Sequence, residues 1–260
     1  MVPESLDLEK RLGDQLILLK KEFGLHAIKA EFEAEGSSFR DILRLRRLTT
    51  KHGVPLYIKI GGVEALRDIK DAFDFGVEGL IAPMVESSFG VLKFTNAVES
   101  IFGTQRLFKS INIETKESIR NISKILETAK DKIDNITIGR TDLSKSYFDN
   151  SITPDSSVIF DIIERLSYEI ENNKFTLTVG GSINKESIYF FNEKKNKNLN
   201  RISSIETRKV ILPFEYMVEK NKALVEALRF EELYLRYKLK CEAWLSRLDQ
   251  ERLTILEERL

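Results

Sequence analysis

Two carboxylates stand where short apolar runs end. Glu114 closes QRLFKSINIET (105–115), and Asp142 falls at the end of NITIGRTDL (135–143). A carboxylate at the end of a buried strand loses hydration unless something positive meets it. If the two runs are adjacent parallel strands, ~4.8 Å apart, both side chains reach one point, where they repel unless they share a proton or a cation. One or two carboxylates, completed by water and substrate oxygens, is the usual magnesium arrangement. With a single cysteine, Cys241, and two histidines, His26 and His52, a zinc site is not expected. The alternative is that Glu114 caps the helix that follows it in INIETKESIRNISKIL (111–126), or pairs with a lysine. Reading the other strand ends in the same way gives Glu31, Glu33 and Glu35 after HAIKAEFEAE (26–35), and Lys59 in PLYIKIGG (55–62). It also gives Pro83 before MVESS, Asn112, Arg140, and Gly180-Gly181 with Ser182 after FTLTV.

These positions matter only if the chain brings strand ends together. Seven runs rich in Ile, Val, Leu and Phe have strand character: the five already named, GLIAPM (79–84), and RISSIETRKVIL (201–212). Between them lie helical patterns. LRDIKDAFDFG (66–76) carries Leu66, Ile69 and Phe73 at three- and four-residue steps and stops at Gly76; KESIRNISKILETAK (116–130) and SSVIFDIIERLSYEIENN (156–173) behave alike. Alternation of this kind indicates parallel βα units. A (β/α)8 TIM barrel takes ~250 residues, which suits a chain of 260. The eighth strand is expected before residue 26, as a short, irregular first strand near MVPES or as a gap in the barrel. A doubly wound open sheet is the other candidate, but no GxGxxG follows any strand. In such a barrel, reactive groups sit at the carboxyl ends of the strands.

The barrel is expected over 1–215 and a helical extension over 216–260. The extension has no Gly or Pro, and as one helix it would run about 65 Å. Its leucine stripes read as an oligomer-forming arm or as helices folded back on the barrel. Lys plus Arg and Asp plus Glu both total 41, so no basic excess marks a nucleic-acid footprint. No apolar run is long enough to cross a membrane, and the charged N-terminus lacks a signal core. One cysteine excludes an internal disulfide. A cytoplasmic protein is expected.

GVEGLIAPMVESSFGV, INIETKESIRNISKIL and ITIGRTDLSKSY together resemble the HpcH/HpaI aldolase and citrate lyase β-subunit family, over roughly residues 55–148. The resemblance implies a (β/α)8 barrel of the phosphoenolpyruvate/pyruvate superfamily, with Mg2+ (or Mn2+ or Co2+) held by Glu114 and Asp142. It implies a metal-dependent carbon–carbon lyase or aldolase acting through the enolate of pyruvate or a related 2-oxo acid, with an aldehyde as partner. Asn112 matches a substrate-binding position, and backbone N–H groups around Thr141 and Asp142 match those that hold the substrate carboxylate. Relatives are commonly homo-oligomers, trimers or hexamers.

Two departures stand out. Lys59 occupies the place of a family arginine, which loses the planar fork; Arg140 is the candidate to supply a guanidinium, and Lys59 is the candidate to bind substrate and act in catalysis. The family's Glu-His pair aligns with Glu33 and Ala34, leaving Glu33 as candidate base, with Glu31 and Glu35 behind it. His26 and His52 read as structural. Citrate-lyase-like members also lack the pair, so an enzyme acting on an acyl-CoA or other thioester is the first alternative. A barrel without activity, serving as scaffold or regulator, is the second. The basic loop EKKNKNLNRISS (193–204) reads as a solvated loop or as a phosphate or CoA contact.

Overall fold

The computed structural model describes residues 4–193, 201–220 and 222–260. Eight strands close into one barrel in sequence order: β1 (Ala27–Glu31), β2 (Leu56–Lys59), β3 (Gly79–Ala82), β4 (Phe108–Ile113), β5 (Asn135–Gly139), β6 (Thr176–Gly180), β7 (Ser204–Glu206) and β8 (Val210–Pro213). Helices cover the outside: α1 (Glu4–Phe23), α2 (Phe39–His52), α3 (Leu66–Phe75), α4 (Ser88–Phe102), α5 (Lys116–Arg120), α6 (Ile122–Ala129), α7 (Arg140–Lys145), α8 (Ser157–Asn172) and α9 (Lys185–Glu193). The chain ends in α10 (Phe214–Glu219), α11 (Ala223–Leu245) and α12 (Arg247–Glu257).

The starts and stops follow local chemistry. Ser38 and Thr115 cap α2 and α5 through capping boxes. Gly53 and Gly76 close α2 and α3 in the left-handed conformation that glycine adopts without cost. Strand residues such as Ile28, Leu56, Ile58, Leu80, Ile111 and Ile136 are fully buried under the helices.

The eighth strand lies at the opposite end of the chain from where it was expected. No described strand precedes β1; α1 stands there instead, and residues 1–3 fall outside the described ones. The run RISSIETRKVIL is not one strand but a hairpin. Thr207-Arg208-Lys209 turns the chain, so β8 runs antiparallel to both β7 and β1. The turn is fixed without glycine: Thr207 N–H donates to the Val210 carbonyl (2.9 Å), and Val210 N–H donates to the Thr207 hydroxyl (3.1 Å).

The extension folds back. Leu12, Leu16 and Leu19 of α1 are fully buried, and α11 packs along α1 through Ala223, Ala227, Phe230, Leu233, Tyr234 and Tyr237. Gln15 donates to Glu226 (2.8 Å), and Tyr237 to Glu9 (3.2 Å). By contrast α12 buries no residue. The extension therefore divides: α11 buries one face against the chain but leaves Leu228, Leu235 and Leu239 of its leucine stripe exposed, and α12 lies in solvent.

Candidate active site

The register of β4 on β5 pairs Asn112 with Thr137 and Ile113 with Ile138, which sets Glu114 beside Gly139. A Cβ on Gly139 would stand 2.5 Å from Glu114 Oε2, so the missing side chain makes room for the carboxylate. Glu114 is 2% exposed. Met84 N–H donates to its Oε1 (3.0 Å), and Asn112 Nδ2 donates to its Oε2 (3.0 Å). Met84 holds a left-handed φ of 51°, a conformation that costs a non-glycine residue roughly 1 kcal/mol or more and that here accompanies an N–H aimed at the carboxylate.

Asp142, in the first turn of α7, faces the same cavity. Burial raises the pKa of Glu114 above the usual carboxylate range, and the charge of Asp142 adds to the rise; Lys59, the Met84 N–H and the Asn112 amide only partly offset it. The cavity has a volume of about 410 Å³ and opens at the carboxyl end of the barrel, with Lys59, Asn112, Glu114, Thr141 and Asp142 in its wall.

Opposite these residues is a buried ion network. Lys29, 4% exposed, stands 2.8 Å from Glu31 and 2.5 Å from Glu206. Burial alone would drive the proton off Lys29, but Glu206 and Glu31 outweigh it and hold the ammonium charged. Glu31 pairs in register with Lys59 across β1 and β2, at 3.8 Å between charged atoms. Burial opposes the charge on Glu31; Lys29 and Lys59 overcome it and pull its pKa down. Arg208 in the β7–β8 turn, and Leu228 and Glu231 of α11, complete the rim.

The residues expected from sequence divide into two sets. Glu114, Asp142, Lys59, Asn112 and Thr141 meet in the cavity wall. Thr141 shares a hydrogen bond with the Ser182 hydroxyl (2.9 Å). Its N–H lies against Gly181, where a Cβ would come within 2.6 Å. Arg140 and Glu33 are placed elsewhere. The Arg140 guanidinium is fully buried and committed: Nη1 donates to Pro154 O and Asp155 Oδ1, and Nη2 to Gly181 O, Ser182 O and Ser187 Oγ. It props the loops around the site and is not part of the cavity wall. Glu33 is exposed and rests over Gly61 near the Asp68 carboxylate, outside the cavity. Glu35 pairs with the buried Lys209. His26 bonds to the Ser204 hydroxyl (3.0 Å) at the far end of the barrel, and His52 packs against Gly13. Most of the loop 193–204, over 194–200, lies outside the described residues.

Lys29 and Glu206 were not singled out from the sequence, yet a signal exists. Ile-Glu-Thr, which ends β4 as 113–115, recurs as 205–207 at the end of β7.

The donor set suits a hard divalent cation. Two carboxylates share the cavity at a cost in mutual repulsion, the buried Asn112 Oδ1 has no hydrogen-bond partner, and no cluster of three or more His, Cys, Asp or Glu suited to a metal occurs among the described residues. Two protein ligands with water and substrate oxygens is a magnesium-like site, not a zinc-like one.

Residues 51–171 match the sequence profile of the HpcH/HpaI aldolase/citrate lyase family. Over this segment the chain is similar to the HpcH/HpaI aldolase/citrate lyase family. The matched residues carry Lys59, Asn112, Glu114, Thr141 and Asp142; β1 and β6–β8, with Lys29, Glu31 and Glu206, lie beyond them. Among solved structures, the HpcH/HpaI aldolase from Desulfitobacterium hafniense DCB-2 superposes with a TM-score of 0.59 at 14% identity, covering 75% of this chain and 81% of that one. An HpcH/HpaI aldolase/citrate lyase family protein from Burkholderia cenocepacia J2315 gives 0.59 at 10% identity, covering 88% and 91%. A variant of the citrate synthase SbnG gives 0.56 at 16%, covering 89% and 91%. At these identities the likeness is one of fold. No curated protein matches the chain.

Proposed function

We propose that this chain is a member of the HpcH/HpaI family and a divalent-metal-dependent carbon–carbon lyase or aldolase acting on pyruvate or a related 2-oxo acid. The observation that carries the reading is the convergence of Glu114 and Asp142 in one cavity wall, with Glu114 raised in pKa by burial and by Asp142. Such a pair is costly in an empty pocket and favourable around Mg2+, Mn2+ or Co2+. When bound, the ion would supply charge stabilisation at the oxygen of a developing enolate.

The chain's own residues do the rest. Lys59 and Lys29 keep positive charge beside an anionic substrate. The N–H and hydroxyl of Thr141 sit where a carboxylate can be held, and the free Oδ1 of Asn112 is an acceptor for a substrate hydroxyl. Arg140 acts at one remove, by fixing the Gly181-Ser182 segment. The reading includes a cytoplasmic homo-oligomer, a trimer or hexamer, as its family resemblance implies, and no role on nucleic acid or membrane; light scattering on the purified protein checks the assembly. No helix among the described residues is long and apolar enough to cross a membrane.

The test is magnesium- or manganese-dependent exchange of the pyruvate methyl protons for deuterium. Exchange that appears with metal and stops with chelator supports the reading; no exchange under any metal counts against it. A second reading, an enzyme acting on an acyl-CoA or other thioester, draws on the lack of any histidine in the wall of the cavity. Thermal stabilisation by acetyl-CoA but not by pyruvate favours it.

A further inference from the structure

Carbon–carbon cleavage of an aldol needs a group that removes the proton of the substrate hydroxyl, and Glu33, the residue expected for this, is exposed and outside the cavity. Four other carboxylates beside Glu206 border the cavity: Glu31, Glu114, Asp142 and Glu231. Glu31 is held between Lys29 and Lys59, and both oxygens of Glu114 accept hydrogen bonds. Asp142 belongs with Glu114, and Glu231 is half-exposed on the rim. Glu206 differs from all of them. It is 6% exposed, Lys29 fixes its Oε1 at 2.5 Å, and its Oε2 is buried with no hydrogen-bond partner among the described residues. Gly180 makes space for it: a Cβ there would meet Glu206 Oε1 and Cβ at 3.3 and 3.4 Å.

We propose that Glu206, anchored through Oε1 by Lys29, is the proton acceptor of the reaction through Oε2. The inference rests on the lyase reading of the same cavity. In cleavage of a 4-hydroxy-2-oxo acid, Oε2 takes the hydroxyl proton. The O–H electrons become the second carbonyl bond of the departing aldehyde. The adjacent C–C bond breaks, its pair becomes the C=C of the enolate of the 2-oxo acid, and the π pair of the 2-oxo carbonyl moves onto its oxygen. Return of one proton to the enolate carbon gives pyruvate and leaves Glu206 ionised again, so no oxidant, reductant or further reactant is required. Lys29 serves as a positioning residue: pinned between two carboxylates, it holds Glu206 in one rotamer.

The experiment uses 4-hydroxy-2-oxopentanoate as cleavage probe, with Mg2+, on the full-length protein and its Glu206→Gln, Glu206→Ala and Glu206→Asp variants. Loss of general-base catalysis is a ~10²–10⁴-fold effect. Glu206→Gln is expected to lose kcat by about 100-fold or more with KM little changed. Glu206→Ala is expected to regain part of its kcat when formate is added, which a merely structural carboxylate would not show. Should either variant fail to fold, Glu206→Asp decides: its charge is kept, its oxygens are drawn back by one methylene, and kcat is expected to fall by at least about tenfold. Wild-type kcat in Glu206→Gln or Glu206→Asp, or no rescue of a folded Glu206→Ala, overturns the assignment. If the wild type neither cleaves the probe nor exchanges pyruvate protons with metal, it is the lyase reading that fails, and with it the ground for this inference.

Discussion

Two charged groups, one fully buried and one partly exposed, sit on either side of one turn and behave in opposite ways. Arg140 and Asp142 are two residues apart. The guanidinium of Arg140 makes five hydrogen bonds, one of them to Asp155 at 2.7 Å, and stacks 5.5 Å from the Phe191 ring; only its Nε lacks a partner. Burial works against the charge of Asp155, but hydrogen bonds from Arg140, Ser187 and Asn184 overcome it and keep its pKa low. Across the turn, Asp142 shares the cavity wall with Glu114, whose pKa is pushed up. Charges that find their partners within the chain build the scaffold. Charges left short of partners, next to an unpartnered Asn112 Oδ1 and Glu206 Oε2, are where the proposed reading puts metal and substrate.

That contrast can be broken or sharpened by substitution. The largest effect is expected for Asp142→Asn. A metal stabilises developing charge by several kcal/mol, so metal-dependent exchange of pyruvate protons should fall by about 10³-fold, with melting temperature unchanged or raised. Arg140→Met should do the reverse. Its guanidinium satisfies Pro154 O, Gly181 O, Ser182 O and Ser187 Oγ; a buried acceptor left unpaired costs ~1–3 kcal/mol, and the melting temperature should drop by on the order of 10 °C. If instead Arg140→Met melted like wild type and lost activity alone, the division between scaffold and site would be wrong.

Gly139→Ala probes the shelf on which Glu114 lies. A Cβ placed 2.5 Å from Oε2 displaces the carboxylate, and Mg2+ affinity measured by calorimetry should weaken ~10–100-fold, as for loss of other groups that orient metal ligands. Glu114→Gln tests the electrostatics without metal. With its pKa raised in the folded state, Glu114 binds its proton more tightly there than in the unfolded chain. Wild type should therefore lose stability relative to Glu114→Gln as pH rises above the ordinary carboxylate range, and the two should converge in acid. Urea unfolding in the presence of chelator, repeated along the pH scale, reads this. The smallest effect is expected for Glu33→Gln, exposed and outside the cavity: kcat within about threefold of wild type, the size of an ordinary surface change.

How far the sequence foretold this arrangement follows from the range of each interaction. Glu114 and Asp142 were legible because each terminates an apolar run, and one βα unit separates them; consecutive parallel strands lie side by side. Lys59 and Asn112 were legible for the same reason. The pairing of Lys29 with Glu206 was not, since Glu206 is 177 positions away and only closure of the barrel through β8 brings β7 and β1 near each other. The hairpin at Thr207-Arg208-Lys209 was hidden because it carries none of the Gly, Asn or Pro that signal a turn; its side chain to backbone bonds do that work. Arg140 was misleading in a different way. Its position beside Asp142 is visible in the sequence, but the loop carbonyls that absorb its guanidinium come from residues 154, 181 and 182. The extension could be read as an arm because α11 and α12 have similar composition, and only the packing surface of α1 tells them apart.

The most direct test is a binding titration of Mn2+, followed by electron paramagnetic resonance, on wild type and on Asp142→Asn. Wild type should take up one ion per chain, with competition by Mg2+, and the Asp142→Asn protein should bind it far more weakly while remaining folded. Equal uptake by the two proteins, or none by wild type, would contradict the assignment of Glu114 and Asp142 as joint ligands.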